Sequence, residues 1–183
     1  MWMQRLKICL GAAMGLSHLH DPHGTQQRVI HRDIKSANIL LDGNWNTKVS
    51  DMGLSKIGPA NQSQSFLATN VVGTPIYVDP MYVETGILTK ESDVYSFEVV
   101  LFEVLCGTQD MNMRSQEIFS EIMYQCLLRS CSKRSKMSQV VEKLELALQF
   151  QQGISNPEEF KELVKSSMAN EKEYKWQHVV LLK

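Results

Sequence analysis

The spacing of apolar side chains predicts one helix at the start of the chain and several in its second half. Apolar residues recur at helical intervals over residues 3–20, 90–106 and 137–151, each with a stripe that one face could bury. Residues 116–128 form a further predicted helix. A capping pattern that starts at Asn156 predicts one more helix near the end, because a Pro and then a Glu follow that Asn.

Between the first helix and the later ones, short apolar runs predict strands. They lie at residues 29–30, 39–41 and 48–50, and an Asp-Gly-Asn cluster at residues 42–44 is a turn signal. Residues 58–75 have no apolar period and read as a long loop, which in a compact domain is usually functional or disordered. Short strands followed by helices indicate an α+β domain that is mainly α-helical.

Composition and charge exclude several classes of function. The chain has 183 residues, of which 43% are hydrophobic and 21% charged, as in ordinary soluble proteins of about one domain. A net charge of −1 does not favour nucleic acid or an anionic membrane as a partner, and no apolar run is long enough to span a bilayer. Without paired metal-ligand spacing, the four cysteines are expected to be reduced thiols in a cytosolic protein: Cys9, Cys106, Cys126 and Cys131.

The strongest chemical signal lies in residues 29–40, where Asp33 is followed by Lys35 and then by Asn38 in a tight loop between predicted strands. Phosphoryl transfer needs this set of groups. The Asp orients the attacking hydroxyl and accepts its proton, the Lys neutralises phosphate charge, and the Asn binds a metal ion. Asp51 comes eighteen positions after Asp33, within an Asp-Met-Gly sequence, and its carboxylate could hold Mg²⁺ against the phosphates.

These residues resemble the catalytic loop and the metal-binding Asp of eukaryotic protein kinases. The flanking segments GAAMGLSHLH and SDVYSFEVVLFEVLCG are similar to those of plant receptor-like kinases, and the malectin-domain group and its cytoplasmic relatives look closest. The resemblance covers residues 2–151. It implies a protein-kinase-like C-terminal lobe over residues 1–152, followed by a charged helical tail over residues 153–183 that looks like the start of a further domain.

The resemblance implies a role for each matching residue of the site. Asp33 matches the proton acceptor, and Lys35 matches the phosphate-contacting lysine of Ser/Thr-type kinases. Asn38 and Asp51 match the two metal ligands. ATP and Mg²⁺ are therefore the implied cofactors, with Lys35, Asn38 and Asp51 as their contacts.

Other matches concern regulation and the support of the loop. Arg32 matches the arginine that pairs with a phosphorylated activation loop, although a generic surface arginine is the alternative. Thr69 stands where such kinases carry a phosphorylatable residue, and Thr74 matches the threonine of the substrate-facing Gly-Thr pair. Asp93 matches the helix aspartate that bonds to the catalytic-loop backbone, and otherwise it is an acid favoured at a helix N-terminus. His31 is expected to pack and hydrogen-bond in the loop rather than to react.

The chain also departs from the family pattern. It begins at the helix before the catalytic loop, and it contains no Gly-rich loop, strand lysine or helix glutamate for orienting ATP, so the resemblance implies that the N-terminal lobe is missing. Met81 occupies the acidic position of the Pro-Glu motif, so its pair with a late arginine, here Arg134, is expected to be lost. Ile76 and Glu98 replace glycines, and an unpaired charge in the apolar helix of Glu98 would be costly. About one helix of family sequence is missing between residues 107 and 115.

Three hypotheses follow from these observations. The first is a protein serine/threonine kinase that transfers the ATP γ-phosphate to hydroxyls of a protein substrate. The second is a catalytically inactive kinase remnant, a binding module that docks on a partner kinase or competes for its substrates. The third is a truncated gene product without a selected role. The first two imply a cytoplasmic protein that could reach the inner face of the plasma membrane through its partners.

Overall fold

The computed structural model describes residues 2–21, 27–59, 67–105, 118, 121–122 and 130–153. Within these ranges, four α-helices are described over their whole length, together with six short strands. The helices are α1 (Trp2–His20), α2 (Pro80–Thr85), α3 (Lys90–Leu105) and α4 (Met137–Gln151). The strands are β1 (Gln27–Ile30), β2 (Ile39–Leu41), β3 (Thr47–Val49), β4 (Lys56–Pro59), β5 (Leu67–Ala68) and β6 (Ile87–Leu88).

The main hydrophobic core lies between α1, α3 and α4. Leu6 and Leu16 of α1, Phe97 and Leu101 of α3 and Leu144 of α4 are each buried to within 1% of full burial. Burying one such side chain contributes about 1.5–3 kcal/mol to stability. This packing is what the apolar stripes of the three helices predict.

The strands form three antiparallel pairs, β1 with β4, β2 with β3 and β5 with β6. Strand β3 packs on α1, where Thr47 Oγ1 donates a hydrogen bond of 3.1 Å to the Ile8 carbonyl. A Cβ at Gly11 would lie 3.0 Å from the Thr47 side chain, so the glycine allows this close approach. In the β2–β3 hairpin, the Asp42 carboxylate accepts bonds from the backbone N–H groups of Asn44 and Asn46.

The structure confirms the predicted helices at residues 3–20, 90–106 and 137–151 to within one residue at each end. The long loop predicted over residues 58–75 is wrong in part, because the end of β4 and all of β5 lie within it. Their partners, β1 and β6, are distant in sequence, so no local period reveals them.

Other predictions fall on parts of the chain outside the description. Of the helix predicted at residues 116–128, only residues 118, 121 and 122 are described, and each of them is helical. The capping pattern at Asn156 and the tail beyond residue 153 lie outside the described residues. Every helix in the described ranges is too short or too polar to cross a lipid bilayer.

Helix α2 was not predicted from the sequence. Asp79 caps it, accepting a bond of 3.0 Å from the Met81 N–H, and Pro80 occupies the first turn, where its missing N–H costs nothing. Gly86 ends the helix with a φ of 66°. The Asp-Pro pair followed six residues later by Gly is the signal that could have revealed it.

Candidate active site

A buried carboxylate at the start of α3 holds the backbone of the loop between β1 and β2. Asp93 accepts hydrogen bonds from the backbone N–H groups of His31 at 2.7 Å and Arg32 at 2.8 Å. It also accepts a bond of 3.0 Å from Nε2 of His20, which is itself buried. Arg32 has a φ of 72°, a conformation that costs a non-glycine residue about 1–2 kcal/mol. The bond predicted from Asp93 to the loop backbone is thus confirmed, and it stabilises this strained turn.

His31 joins the loop to the strand that precedes Asp51. Its ring is fully buried, and Nε2 lies 2.8 Å from the Ser50 carbonyl while Nδ1 lies 3.3 Å from the Asp33 backbone N–H. A backbone N–H can only donate and a carbonyl can only accept, so Nδ1 accepts and Nε2 carries the proton. Both ring nitrogens are thereby engaged, and His31 supports the loop, as the sequence predicted.

Asp33 and Lys35 lie in contact with each other and with Thr74. Lys35 Nζ is 2.7 Å from Asp33 Oδ2 and 3.0 Å from Thr74 Oγ1. The Thr74 hydroxyl donates a bond of 2.6 Å to Asp33 Oδ1, and the Thr74 backbone N–H donates to the same oxygen at 3.1 Å. Burial by itself would raise the pKa of Asp33, but the hydrogen bonds from Lys35, Thr74 and Asn38 and the charge of Lys35 outweigh it and hold that pKa below its ordinary value. Asp33 is therefore an ionised acceptor at neutral pH.

Asn38 and Asp51, the two predicted metal ligands, are linked through Ser50. The backbone N–H and the hydroxyl of Ser50 both donate to the Asn38 carbonyl, at 2.9 and 3.0 Å. The Asn38 side-chain N–H group donates to the Asp33 carbonyl at 2.8 Å, and within the described part of the chain the Asn38 amide oxygen makes no hydrogen bond. Asp51 follows Ser50 directly, with an exposed side chain and a φ of 64°.

The donor set around Asn38 and Asp51 fits Mg²⁺. An amide oxygen and an exposed carboxylate are hard oxygen ligands, and Mg²⁺ is usually held by one or two carboxylates together with water and substrate phosphates. Among the described His, Cys, Asp and Glu side chains, no group of three lies close enough to hold a metal ion. An ion here would therefore depend on the amide oxygen and on ligands from outside the protein.

Arg32 lies beside Thr69 and bonds to the segment around it. Its Nη2 atom donates to the hydroxyl of Tyr82 at 2.8 Å and to the Asn70 carbonyl at 2.9 Å, while Thr69 Oγ1 lies at 3.5 Å. Its Nη1 atom donates to the Leu54 carbonyl at 3.2 Å. Only 9% of Arg32 is exposed, so the alternative of a generic surface arginine is wrong. The sequence analysis did not predict the contact between Tyr82 and Arg32.

The two residues that stand where the family pattern has glycines differ in their surroundings. Ile76 is 82% exposed and has a φ of 81°, which is strained for a β-branched residue. Glu98 is fully buried. Burial and the charge of Glu98 together raise the pKa of the Cys9 thiol to about 12, against the opposing charge of Arg5. Cys9 is a free thiol, as expected, and it is un-ionised at neutral pH.

Met81 has no carboxylate, so the predicted loss of its pair with Arg134 is confirmed. Arg134 instead binds the carboxylate of Asp79. Arg134 Nη1 and Nη2 donate to the two oxygens of Asp79 at 2.6 and 2.7 Å, and both side chains are at most 1% exposed. Arg134 also donates to the Glu91 carbonyl at 3.1 Å and lies over the Tyr95 ring, 5.2 Å from its centroid. The bidentate pair therefore ties the beginning of α2 to the chain segment before α4.

The sequence pattern of the protein kinase domain matches residues 4–177, and the chain belongs to the protein kinase family. Among curated proteins it is similar to receptor-like protein kinases of Arabidopsis thaliana. FERONIA is 41% identical over 91% of this chain and 17% of its own length. HERK 1 is 58% identical over 58% of this chain and 12% of its own length, and ANXUR2 is 53% identical over 61% and 13%.

These comparisons confirm the resemblance to plant receptor-like kinases and membership of the protein serine/threonine kinase family. The match covers only part of each relative, because the chain spans between 12% and 21% of the length of these curated proteins. Its described residues form a kinase domain region of helices and small sheets.

Proposed function

We propose that residues 1–152 are the C-terminal lobe of a serine/threonine kinase domain that transfers the γ-phosphate of ATP to hydroxyl groups of a protein substrate. The observation that carries the proposal is the contact set of Asp33. Its ionised carboxylate already accepts a bond of 2.6 Å from a threonine hydroxyl, and a lysine ammonium lies 2.7 Å from its other oxygen. A substrate hydroxyl needs the same kind of acceptor.

In this proposal Asp33 Oδ1 orients the substrate hydroxyl and accepts its proton. The Thr74 hydroxyl marks the direction from which such a group can approach, since it donates to Asp33 Oδ1 and accepts from Lys35 Nζ. Lys35 neutralises negative charge that develops on the transferred phosphate. Together these side chains provide positioning and charge stabilisation, which supply most of the catalysis in phosphoryl transfer.

In this proposal Mg²⁺ and the ATP phosphates bind beside Asn38 and Asp51. The Asn38 amide oxygen and the Asp51 carboxylate would hold Mg²⁺, which when bound neutralises the charge of the ATP phosphates. The Asn38 side-chain bond to the Asp33 carbonyl keeps the amide oxygen pointing away from the base. Metal binding and proton acceptance are thus assigned to adjacent but separate groups.

Arg32 and Thr69 form the proposed regulatory contact. A phosphate on Thr69 would lie beside the Arg32 guanidinium, whose Nε atom is buried and has no hydrogen-bond partner in the described part of the chain. Phosphate–arginine bonds are strong because both groups are charged. We also propose a protein substrate, a cytoplasmic location, and a charged tail over residues 153–183, most of which the kinase pattern still covers.

A second candidate is a binding module that docks on a partner kinase without transferring phosphate. One observation favours it. Ile76, three residues after the start of the Gly-Thr pair, presents an apolar side chain on strained backbone where the family pattern has a glycine.

Phosphate transfer from radiolabelled ATP to a generic protein substrate separates the two candidates. Residues 2–151 are fused behind the N-terminal lobe of a related receptor-like kinase, once with their native residues and once with positions 76, 81 and 98 changed to Gly, Glu and Gly. Transfer by the native fusion supports the enzyme, and transfer by the changed fusion alone supports the binding module. We expect activity that falls about 10²–10⁴-fold with Asp33→Asn and is lost with Asp51→Asn. The matched control is Asp42→Asn, a hairpin carboxylate outside the site, which should change little.

Each result decides a specific point. Equal transfer with Asn at position 33 would contradict the role of Asp33. A fusion that is folded by circular dichroism but transfers no phosphate would contradict the enzyme hypothesis and favour the binding module. The segment expected to be missing after Gly107 would then be the leading explanation for the lack of transfer.

A further inference from the structure

The hydroxyl of Tyr82 closes a ring of hydrogen bonds around the Arg32 guanidinium. It accepts from Arg32 Nη2 at 2.8 Å and donates to the Asn70 carbonyl at 2.7 Å, and the same carbonyl accepts from Arg32 Nη2 at 2.9 Å. Tyr82 is only 2% exposed, so little water can replace these bonds. The hydroxyl therefore has one donor and one acceptor partner, which satisfies it inside the fold.

The two hydrogens of Arg32 Nη2 are both used by this ring. A guanidinium Nη atom carries two hydrogens, and the two short contacts, to Tyr82 and to Asn70, account for them. The third contact, to Thr69 Oγ1 at 3.5 Å, is too long to be a good hydrogen bond. The unmodified Thr69 side chain thus contributes little to holding Arg32.

The position of Arg32 matters for the catalytic loop, because the next residue is Asp33. Arg32 has a φ of 72°, and its backbone and its side chain are held separately. Asp93 binds the backbone N–H, while the side chain depends on Tyr82 and the carbonyls of Leu54 and Asn70. Tyr82 is in turn carried by α2, which the buried pair of Asp79 and Arg134 anchors.

We propose that Tyr82 is a positioning residue for the catalytic loop: its hydroxyl holds the Arg32 guanidinium in place without a phosphate on Thr69. The importance of this position for catalysis rests on the kinase function proposed above. The contact itself does not, so the test uses neither ATP nor turnover, and the two proposals can fail independently.

The test is the rotation of the Arg32 guanidinium in the full 183-residue chain, measured by nitrogen-15 NMR exchange of the arginine side-chain signals. In the unaltered chain we expect slow rotation and separate Nη1 and Nη2 signals. Tyr82→Phe keeps the ring and removes only the hydroxyl, and we expect rotation to become about tenfold faster, the effect of losing one hydrogen bond to a charged group. The matched control is Tyr95→Phe, which keeps the ring under Arg134 and should leave Arg32 unchanged.

Two results would overturn the proposal. One is rotation of Arg32 that stays within about twofold of the unaltered chain. The other is equal acceleration of Arg32 and Arg134, which would show general loosening of the fold rather than the loss of one contact.

A measurement on the unaltered chain keeps the proposal testable even if the Phe variant does not fold. The Tyr82 hydroxyl proton should exchange with water at least about tenfold more slowly than that of Tyr77, because a buried hydroxyl must lose its bond and meet water before it exchanges. Tyr77 is the matched comparison, since its hydroxyl also donates, at 2.6 Å to Glu103, but in an exposed position. Equal exchange rates would contradict the ring of bonds around Arg32.

Discussion

At the scale of single residues, Asp33 depends on neighbours that keep it charged. Lys35, Thr74 and Asn38 donate to it and lower its pKa against the opposing effect of burial. The folded chain therefore binds this proton less readily than the unfolded chain, whose Asp33 has an ordinary pKa near 3.8. The resulting stabilisation is fully present above that pH and is lost as the pH falls through the lower, folded value.

This gives a prediction for acid unfolding. Urea unfolding at pH values between 7 and 2 should show Asp33→Asn to be less stable than the unaltered chain at neutral pH. The difference should shrink as the pH falls below the ordinary pKa, because Asn cannot lose a charge. Comparing the two curves removes the contribution of the other carboxylates. A difference that stays constant with pH would contradict the lowered pKa.

Ile76 carries a strain that its side chain does little to offset. Its φ of 81° is unfavourable for a β-branched residue, and with 82% of it exposed it buries little apolar surface. Ile76→Gly relieves the strain but adds flexibility to the unfolded chain, and we expect a net gain of about 0.5–1 kcal/mol in the free energy of unfolding.

Urea unfolding measures this gain. Val71→Gly is the matched control, since Val71 is also β-branched and 42% exposed but is not among the residues with positive φ. The control should lose stability, because it has no strain to relieve. A loss of stability in Ile76→Gly as well would show that the Ile76 side chain makes a contact worth more than its strain.

At the scale of secondary-structure elements, the buried pair of Asp79 and Arg134 anchors the beginning of α2. Removing one partner of a buried ion pair leaves an uncompensated charge, so Asp79→Ala should lower the free energy of unfolding by about 3–5 kcal/mol. Asp79 also caps α2, and that loss adds to the effect. Thermal and urea unfolding both report it.

A second substitution tests the assignment of the anchor. Met81→Glu, added to Asp79→Ala, restores an acid at the position where the family pattern has one, and we expect it to recover part of the loss. Asp21→Ala is the matched control: Asp21 pairs with Lys90 at 3.2 Å but is 57% exposed, so its loss should cost less than about 1 kcal/mol. If Asp79→Ala cost no more than Asp21→Ala, the buried pair would not be the anchor of α2.

The elements differ in how far the sequence predicts them. Helices α1, α3 and α4 are long and carry apolar stripes, so their periods alone locate them. Strands β4 and β5 are defined by pairing with β1 and β6, which are far away in the sequence. The local sequence pattern cannot reveal such distant partners. Helix α2 has only six residues, too few for a periodic signal, and its cap was the only local evidence.

The same contrast holds in the site. The positions of Asp33, Lys35 and Asn38 follow from one short motif, and Asp93 from the resemblance, so their proximity could be predicted. The contacts of Arg32 with Tyr82 and of Arg134 with Asp79 span 50 and 55 residues. They depend on where α2 docks on the core, which neither motif nor period encodes.

At the scale of the whole molecule, helix α3 joins the core and the candidate site into one structural unit. Asp93 lies on α3, whose Phe97 and Leu101 are buried against α1, and its carboxylate holds the loop that carries Asp33. The residues proposed to bind Mg²⁺ lie at the edge of this unit, and Asp51 is exposed. Of the two proposed metal ligands, Asn38 is therefore buried and only Asp51 is open to water.

This arrangement predicts weak nucleotide binding by the 183-residue chain. Charge interactions of an exposed carboxylate are screened by water, and the sequence contains no Gly-rich loop to enclose the phosphates. Calorimetric titration with Mg-ATP should therefore give a Kd weaker than about 0.1 mM, which corresponds to less than about 5.5 kcal/mol of binding free energy. Asp51→Asn should weaken the measured affinity for Mg-ATP further. Asp42→Asn, which alters an exposed hairpin carboxylate, should leave that affinity unchanged. Micromolar affinity would show that the described helices and small sheets bind ATP without an enclosing loop, and equal effects of the two substitutions would remove Asp51 from the proposed metal site.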